Sequence, residues 1–192
     1  MPLLDRNGAK DDIWARSEGA AIGNISAPIV PWDALPDALN QRAPDQPLGV
    51  LIPNNISVEA LKEVLPHLAL VAISFPAYSD GRGFSLARQL RRHGFTGTLR
   101  ASGPLIADQF AYALSSGFDE VELPEASAGR QPVAQWLRAL EQISHTYQRG
   151  YGDGGSNILD QRRAARAAAQ VHSQAPAQVP AQVPAQLQAE AS

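Results

Sequence analysis

Between residues 48 and 147 a short apolar run is followed by a helical pattern four times over, and that alternation restricts the folds open to the chain. The runs are 48–52, 68–74, 98–102 and 120–123. The first two are apolar almost throughout, as strands buried on both faces of a parallel sheet must be. Helical spacing follows each run, at about 57–65, 84–93, 105–116 and 131–147. Repeated strand-then-helix units predict an α/β fold with right-handed crossovers and a parallel sheet of about four βα units, in an open or incomplete-barrel arrangement. A closed barrel usually needs about 250 residues, more than this chain of 192 provides. Ser57 is placed to cap the first helix, Pro66 to close it, and Gly94 and Gly117 to stop the next two.

Outside that region the signals are weaker. Residues 1–47 carry several prolines and scattered apolar residues such as Trp14, Ile29 and Trp32, which predicts an N-terminal extension with one or two short edge strands. Residues 48–149 form the expected core. The glycine-rich stretch at 150–157 reads as a linker, 158–171 as a polar Ala-rich helix, and 172–192, with its recurrent Pro-Ala-Gln, as a disordered tail.

Composition excludes several chemistries. The chain has no cysteine, so it can make neither disulfides nor thiolate metal sites. Its four histidines show no ligand spacing, and no metal site is expected. A net charge of −3 gives no overall attraction to nucleic acid or to an anionic membrane. No apolar stretch has the length of a membrane span and no secretory leader is visible, so the expected location is the cytoplasm. The full dinucleotide fingerprint and the nucleotide-binding Gly-x4-Gly-Lys loop are both missing, and Ser144-His145 are neighbours on a helix, which points their side chains apart. No cofactor is encoded by a recognisable motif. Trp136, Leu137, Leu140 and Ile143 follow helical spacing and read as core.

In parallel α/β sheets ligands gather at the carboxyl ends of the strands, which selects the loops at 53–56, 75–83, 103–104 and 124–129. The second contains Ser79, Asp80, Gly81, Arg82 and Gly83 at the entry to a helix. Such a loop can offer backbone N–H groups and a guanidinium to an anion, with Asp80 as a candidate base; it can equally be a turn whose Arg82 pairs with Asp80. From residue 81 to 107 there are five arginines and no acid. Arg88, Arg91 and Arg92 are read as one basic stripe, either a solvated helix face or a docking patch. Arg100 lies within a strand and needs a partner if buried, for which Asp108 and Asp80 are the candidates.

The segments 75–85, 94–101, 108–109 (Asp108-Gln109) and 117–119, with a weaker echo at 5–8 and Trp32, resemble the bacterial domain-of-unknown-function-934 family. The resemblance implies a role in assimilatory sulfite reduction and the description of probable oxidoreductase. Ser74, Pro104 and Ala107 depart from the residues common in that family, so the resemblance carries no catalytic role over to those positions. Two functions remain open. The preferred one is an accessory protein docking to sulfite reductase or its electron donor through the loop and stripe. The alternative is an enzyme binding an oxyanion or a phosphate-bearing cofactor at Asp80–Gly83, with Arg82 and Arg100 as clamps.

Overall fold

The computed structural model describes residues 2–142. The linker at 150–157, the helix at 158–171, the tail from 172, and the end of the fourth predicted helix with Ile143 lie outside the described residues. Eight strands form one sheet: β1 (Leu3–Asp5), β2 (Gly8–Lys10), β3 (Ala15–Arg16), β4 (Pro28–Pro31), β5 (Gly49–Pro53), β6 (Leu70–Ser74), β7 (Thr98–Ser102) and β8 (Glu120–Glu122). The helices are α1 (Leu35–Gln41), α2 (Val58–Leu61), α3 (Arg82–Arg92), α4 (Phe110–Ser115), α5 (Glu125–Ala128) and α6 (Val133–Gln142), with short 3-10 turns between some of them. Each of the four predicted strands is present within two residues of its expected bounds, and each predicted helix has its counterpart.

The strand order, β2-β1-β8-β7-β6-β5-β4-β3, shows why the arrangement is a half-barrel rather than a doubly wound sheet. From β3 to β8 every strand pairs in parallel with the next in sequence, so the order never reverses. The β1–β2 hairpin then adds antiparallel to β8. The first 47 residues thus contribute four strands and a helix, and β4 is an interior strand rather than an edge.

Register assigns the two faces. Leu4, Val30, Val50, Ile52, Val71, Ile73, Leu99, Ala101 and Val121 join the buried helix residues in one large core, so the helices cover the convex side. The alternate positions Leu70, Ala72, Arg100, Ser102, Glu120 and Glu122 face the concave side. There Ile29, Leu70 and Ala72 form a separate small apolar cluster packed by Trp14 and Leu51.

Connectivity forces the curl. In a flat eight-stranded sheet β2 and β3 would stand about 34 Å apart, at roughly 4.8 Å per strand. Only residues 11–14 join them, and a link of that length spans at most about 18 Å. The sheet must bend until its edges approach. Arg16 on β3 accordingly reaches Glu122 on β8 at 2.5 Å, five strands away in sheet order.

Local stops follow the expected chemistry. Ser57 Oγ accepts the Ala60 N–H at the start of α2. Gly94 and Gly117 take positive φ after α3 and α4, where Phe95 N–H donates to the Leu90 carbonyl and Phe118 N–H to that of Ala113. Both phenylalanines are thereby turned into the core.

Candidate functional site

Four places combine charge with shape: the concave interior, the rim at the carboxyl ends of the strands, the outer surface of α3, and a groove at the amino ends. In the interior, Arg100 is 1% exposed and fully engaged. Its Nε donates to Glu120 at 2.7 Å, and its two terminal nitrogens donate to the two oxygens of Asp12, each at 2.7 Å. Lys10 Nζ donates to the second oxygen of Glu120 at 2.8 Å. Arg16 forks onto Glu122 and also donates to Ser102 Oγ at 2.8 Å. Three cations meet three carboxylates, and the hydrogen bonds are of the strong, charge-assisted kind.

The expected partners of Arg100, Asp80 and Asp108, are therefore replaced by Asp12 and Glu120, and Arg100 does not meet the Asp80 loop. Asp12 comes from residues 11–14, the segment that crosses the mouth of the half-barrel. Glu120 is its register partner on β8. The arginine is a brace across the fold. Burial works against the charge on Arg100, but the Asp12 and Glu120 bonds outweigh it and raise its pKa. Burial likewise opposes ionisation of Asp12, and the Arg100 bonds overcome it and lower its pKa.

A pH prediction follows. A carboxylate whose pKa falls on folding contributes stability that is complete above its unfolded pKa of about 3.9 and is withdrawn as pH falls through the folded value. Wild-type stability should drop as pH is lowered from about 4, and Asp12→Asn should lose less over that range. Urea midpoints at several pH values measure it. A variant whose acid limb parallels the wild type's would rule out the Asp12 contribution.

At the rim, the Asp80 loop neutralises itself. Arg82 donates from Nε at 3.0 Å and from a terminal nitrogen at 2.6 Å to the two oxygens of Asp80, whose Oδ1 also accepts the Arg82 backbone N–H. The Arg82 guanidinium holds Asp80 well below the usual carboxylate range, and the neighbouring Asn54 amide lowers it further. The buried Asn54 nitrogen makes no hydrogen bond of good geometry. Asp80 thus fills the place at the helix start where an external anion would sit, and a carboxylate so strongly stabilised is a weak base at neutral pH. Ser79 and Asp108 are exposed, and Gly81 is the residue before α3. Gln109 fastens the loop by donating to the Tyr78 carbonyl at 2.7 Å. Gly83 serves packing, since a Cβ there would lie 2.4 Å from the Phe75 ring.

The α3 stripe divides. Arg91 is turned toward the strand starts, where it donates to the carbonyls of Gly117, Phe95 and Gly97 and pairs with Asp119 at 2.6 Å. It stands four and seven residues after the buried Ala87 and Phe84, on their side of the helix. Arg88 lies over the Tyr112 ring, 5.0 Å from its centroid. Tyr112 meets Phe84 edge-on at 4.9 Å, which fixes the ring while leaving it 46% exposed. Arg82, Ser85, Gln89 and Arg92 are exposed along the same helix, and Tyr78, 58% exposed, stands on the loop before it. This surface of arginine and tyrosine was half legible: the arginines form a run, but Tyr112 comes from α4 and needed the fold to bring it alongside.

The amino-end groove, about 780 Å³, lies between the β1–β2 turn (Asp5, Arg6, Asn7) and the loops around Phe95 and Phe118. It is on the opposite end of the strands from the rim. Among the described residues no helix is long and apolar enough to cross a membrane.

The family model for a bacterial protein of unknown function, DUF934, matches residues 49–156, more than half of the chain. The chain belongs to the DUF934 family. The match begins at β5 and takes in the strands that carry Arg100 and Glu120, whereas Asp12, Lys10 and Arg16 precede it. A search of curated proteins finds no match to this DUF934 chain.

Proposed function

We propose that this DUF934 protein is a docking partner of another protein, presenting Tyr78, Arg88, Arg92 and Tyr112 to an acidic surface. The observation that supports this most is a contrast. The charges inside the half-barrel and in the Asp80 loop are matched by opposite charges of the same chain. On α3, by comparison, an arginine is stacked on an exposed tyrosine that is itself held in place by Phe84. Tyrosine and arginine are among the residues most enriched at the energetic centres of protein interfaces, because each offers large contact area with a polar end. A rigid ring and a guanidinium already stacked on it lose little freedom on binding.

The resemblance to a sulfite-reduction family makes sulfite reductase, or its electron donor, the first partner to test, with the cytoplasm as the place of encounter. The catalytic reading at Asp80–Gly83 is less favoured, since Asp80 already takes both the guanidinium and the helix-start N–H that an oxyanion or cofactor phosphate would need. Replacing Arg88 and Arg92 together with alanine should reduce co-purification with sulfite reductase or its donor at least about tenfold, a loss of only about 1.4 kcal/mol. The residual binding should be less salt-dependent, and the melting temperature nearly unchanged. Undiminished capture at matched salt would eliminate α3 as the docking surface. Arg82 and Arg91 are left out of the set because their guanidinium groups are bonded within the chain.

A further inference from the structure

Residues 11–14 cross the open side of the half-barrel from β2 to β3, and among the described residues no backbone hydrogen bond joins them to the sheet. Two side chains hold them. Asp12 gives both carboxylate oxygens to Arg100, and Trp14 packs against the cluster of Ile29, Leu70 and Ala72. Ile13, between them, is 77% exposed, so the segment is inserted by alternate residues only. An acid and an indole ring, two residues apart, are turned onto the concave face of the sheet.

We propose that this interior is a binding site for a small carboxylate carrying an apolar or aromatic group, occupied in the resting protein by the chain's own Asp12 and Trp14. The geometry on the receiving side is that of a carboxylate site. The Nε bond to Glu120 fixes the Arg100 plane and leaves both terminal nitrogens aimed at one carboxylate, the paired arrangement in which guanidinium binds acids best. The floor beside it is apolar. Charge points the same way. With Asp12 withdrawn, Lys10 and Arg16 keep Glu120 and Glu122, with Asp5 also near Lys10, but both terminal nitrogens of the buried Arg100 lose the carboxylate they donate to. A buried guanidinium with both terminal nitrogens unpaired is costly, so the displaced state favours an incoming carboxylate over a neutral ring. The ligand and the segment compete, and the wild type's affinity is lowered by the fraction of molecules in which the segment is seated.

Calorimetric titration with indole-3-acetate tests this on the full chain. The Asp12→Ala/Trp14→Ala variant should bind it saturably and at least about tenfold more tightly than the wild type does, and should not bind 3-methylindole, which lacks the acid. Adding Arg100→Lys should abolish the binding. The proposal is overturned if the folded double variant binds no indole-3-acetate, if it binds no better than wild type, if 3-methylindole binds equally, or if Arg100→Lys changes nothing. Should the double variant not fold, Asp12→Ala alone is melted in rising acetate at constant ionic strength. A midpoint that climbs along a saturation curve, absent in the wild type, supports the site; a midpoint that does not respond overturns it.

Discussion

Arg100→Met should lower the stability of the fold by about 3–5 kcal/mol, the cost of removing one partner from a buried ion pair. Methionine fills similar volume, so the loss reports charge rather than a cavity. Glu120 and Glu122 are 3% and 4% exposed, and without the guanidinium Glu120 keeps only Lys10 while Asp12 loses both of its bonds to Arg100. Urea unfolding of variant and wild type measures it, with the midpoint moving and the slope unchanged. A loss under about 1 kcal/mol, the range of exposed pairs, would mean that water already compensates the cluster. The same reasoning predicts that replacing Arg100, Asp12 and Glu120 together by apolar residues of similar size costs less than Arg100→Met alone, because the charge that then loses its partner is Lys10, whose side chain is 41% exposed and can be solvated.

Trp136→Ala should cost a similar amount, about 3–5 kcal/mol, for a different reason. Trp136 is fully buried on α6 and meets the Phe110 ring of α4 nearly edge-on, with centroids 5.5 Å apart. Truncation leaves a hole between α6 and α4 that neither helix can close without breaking its other contacts. Its indole nitrogen has no hydrogen-bond partner among the described residues, so Trp136→Phe forfeits volume but no hydrogen bond and should retain most of the stability. Thermal melts of the two variants separate these contributions. Equal losses from alanine and phenylalanine would show that the nitrogen matters after all.

What the sequence revealed, and what it concealed, follows from where each signal is carried. The runs at 48–52 and 68–74 are apolar at nearly every position because helices cover one face and the curled interior buries the other, so continuous hydrophobicity was a faithful marker. The strands of the first 47 residues have four residues or fewer and β4 begins and ends on proline, which leaves no run long enough to detect. Arg100 was recognisable as a residue needing a partner. That the partner is Asp12, 88 residues away, depends on the closure of the sheet, which no local pattern encodes. One signal was available: Glu120 and Glu122, two apart on a strand, must share a face, as must Arg100 and Ser102. Two adjacent strands each placing polar groups at alternate positions mark a polar interior. Arg91 was grouped with Arg88 and Arg92 by spacing alone, although its helix neighbours at four and seven residues before, Ala87 and Phe84, placed it beside the core.

The claim on which the fold and the self-occupied interior both rest is that Asp12 closes the half-barrel by pairing with Arg100. A double-mutant cycle on Asp12→Ala and Arg100→Met, read by urea unfolding, tests it most directly. The account predicts strong coupling, with the double variant losing clearly less stability than the two single losses added together. Additive losses would show that the two side chains act independently, and that the segment is held across the mouth by something else.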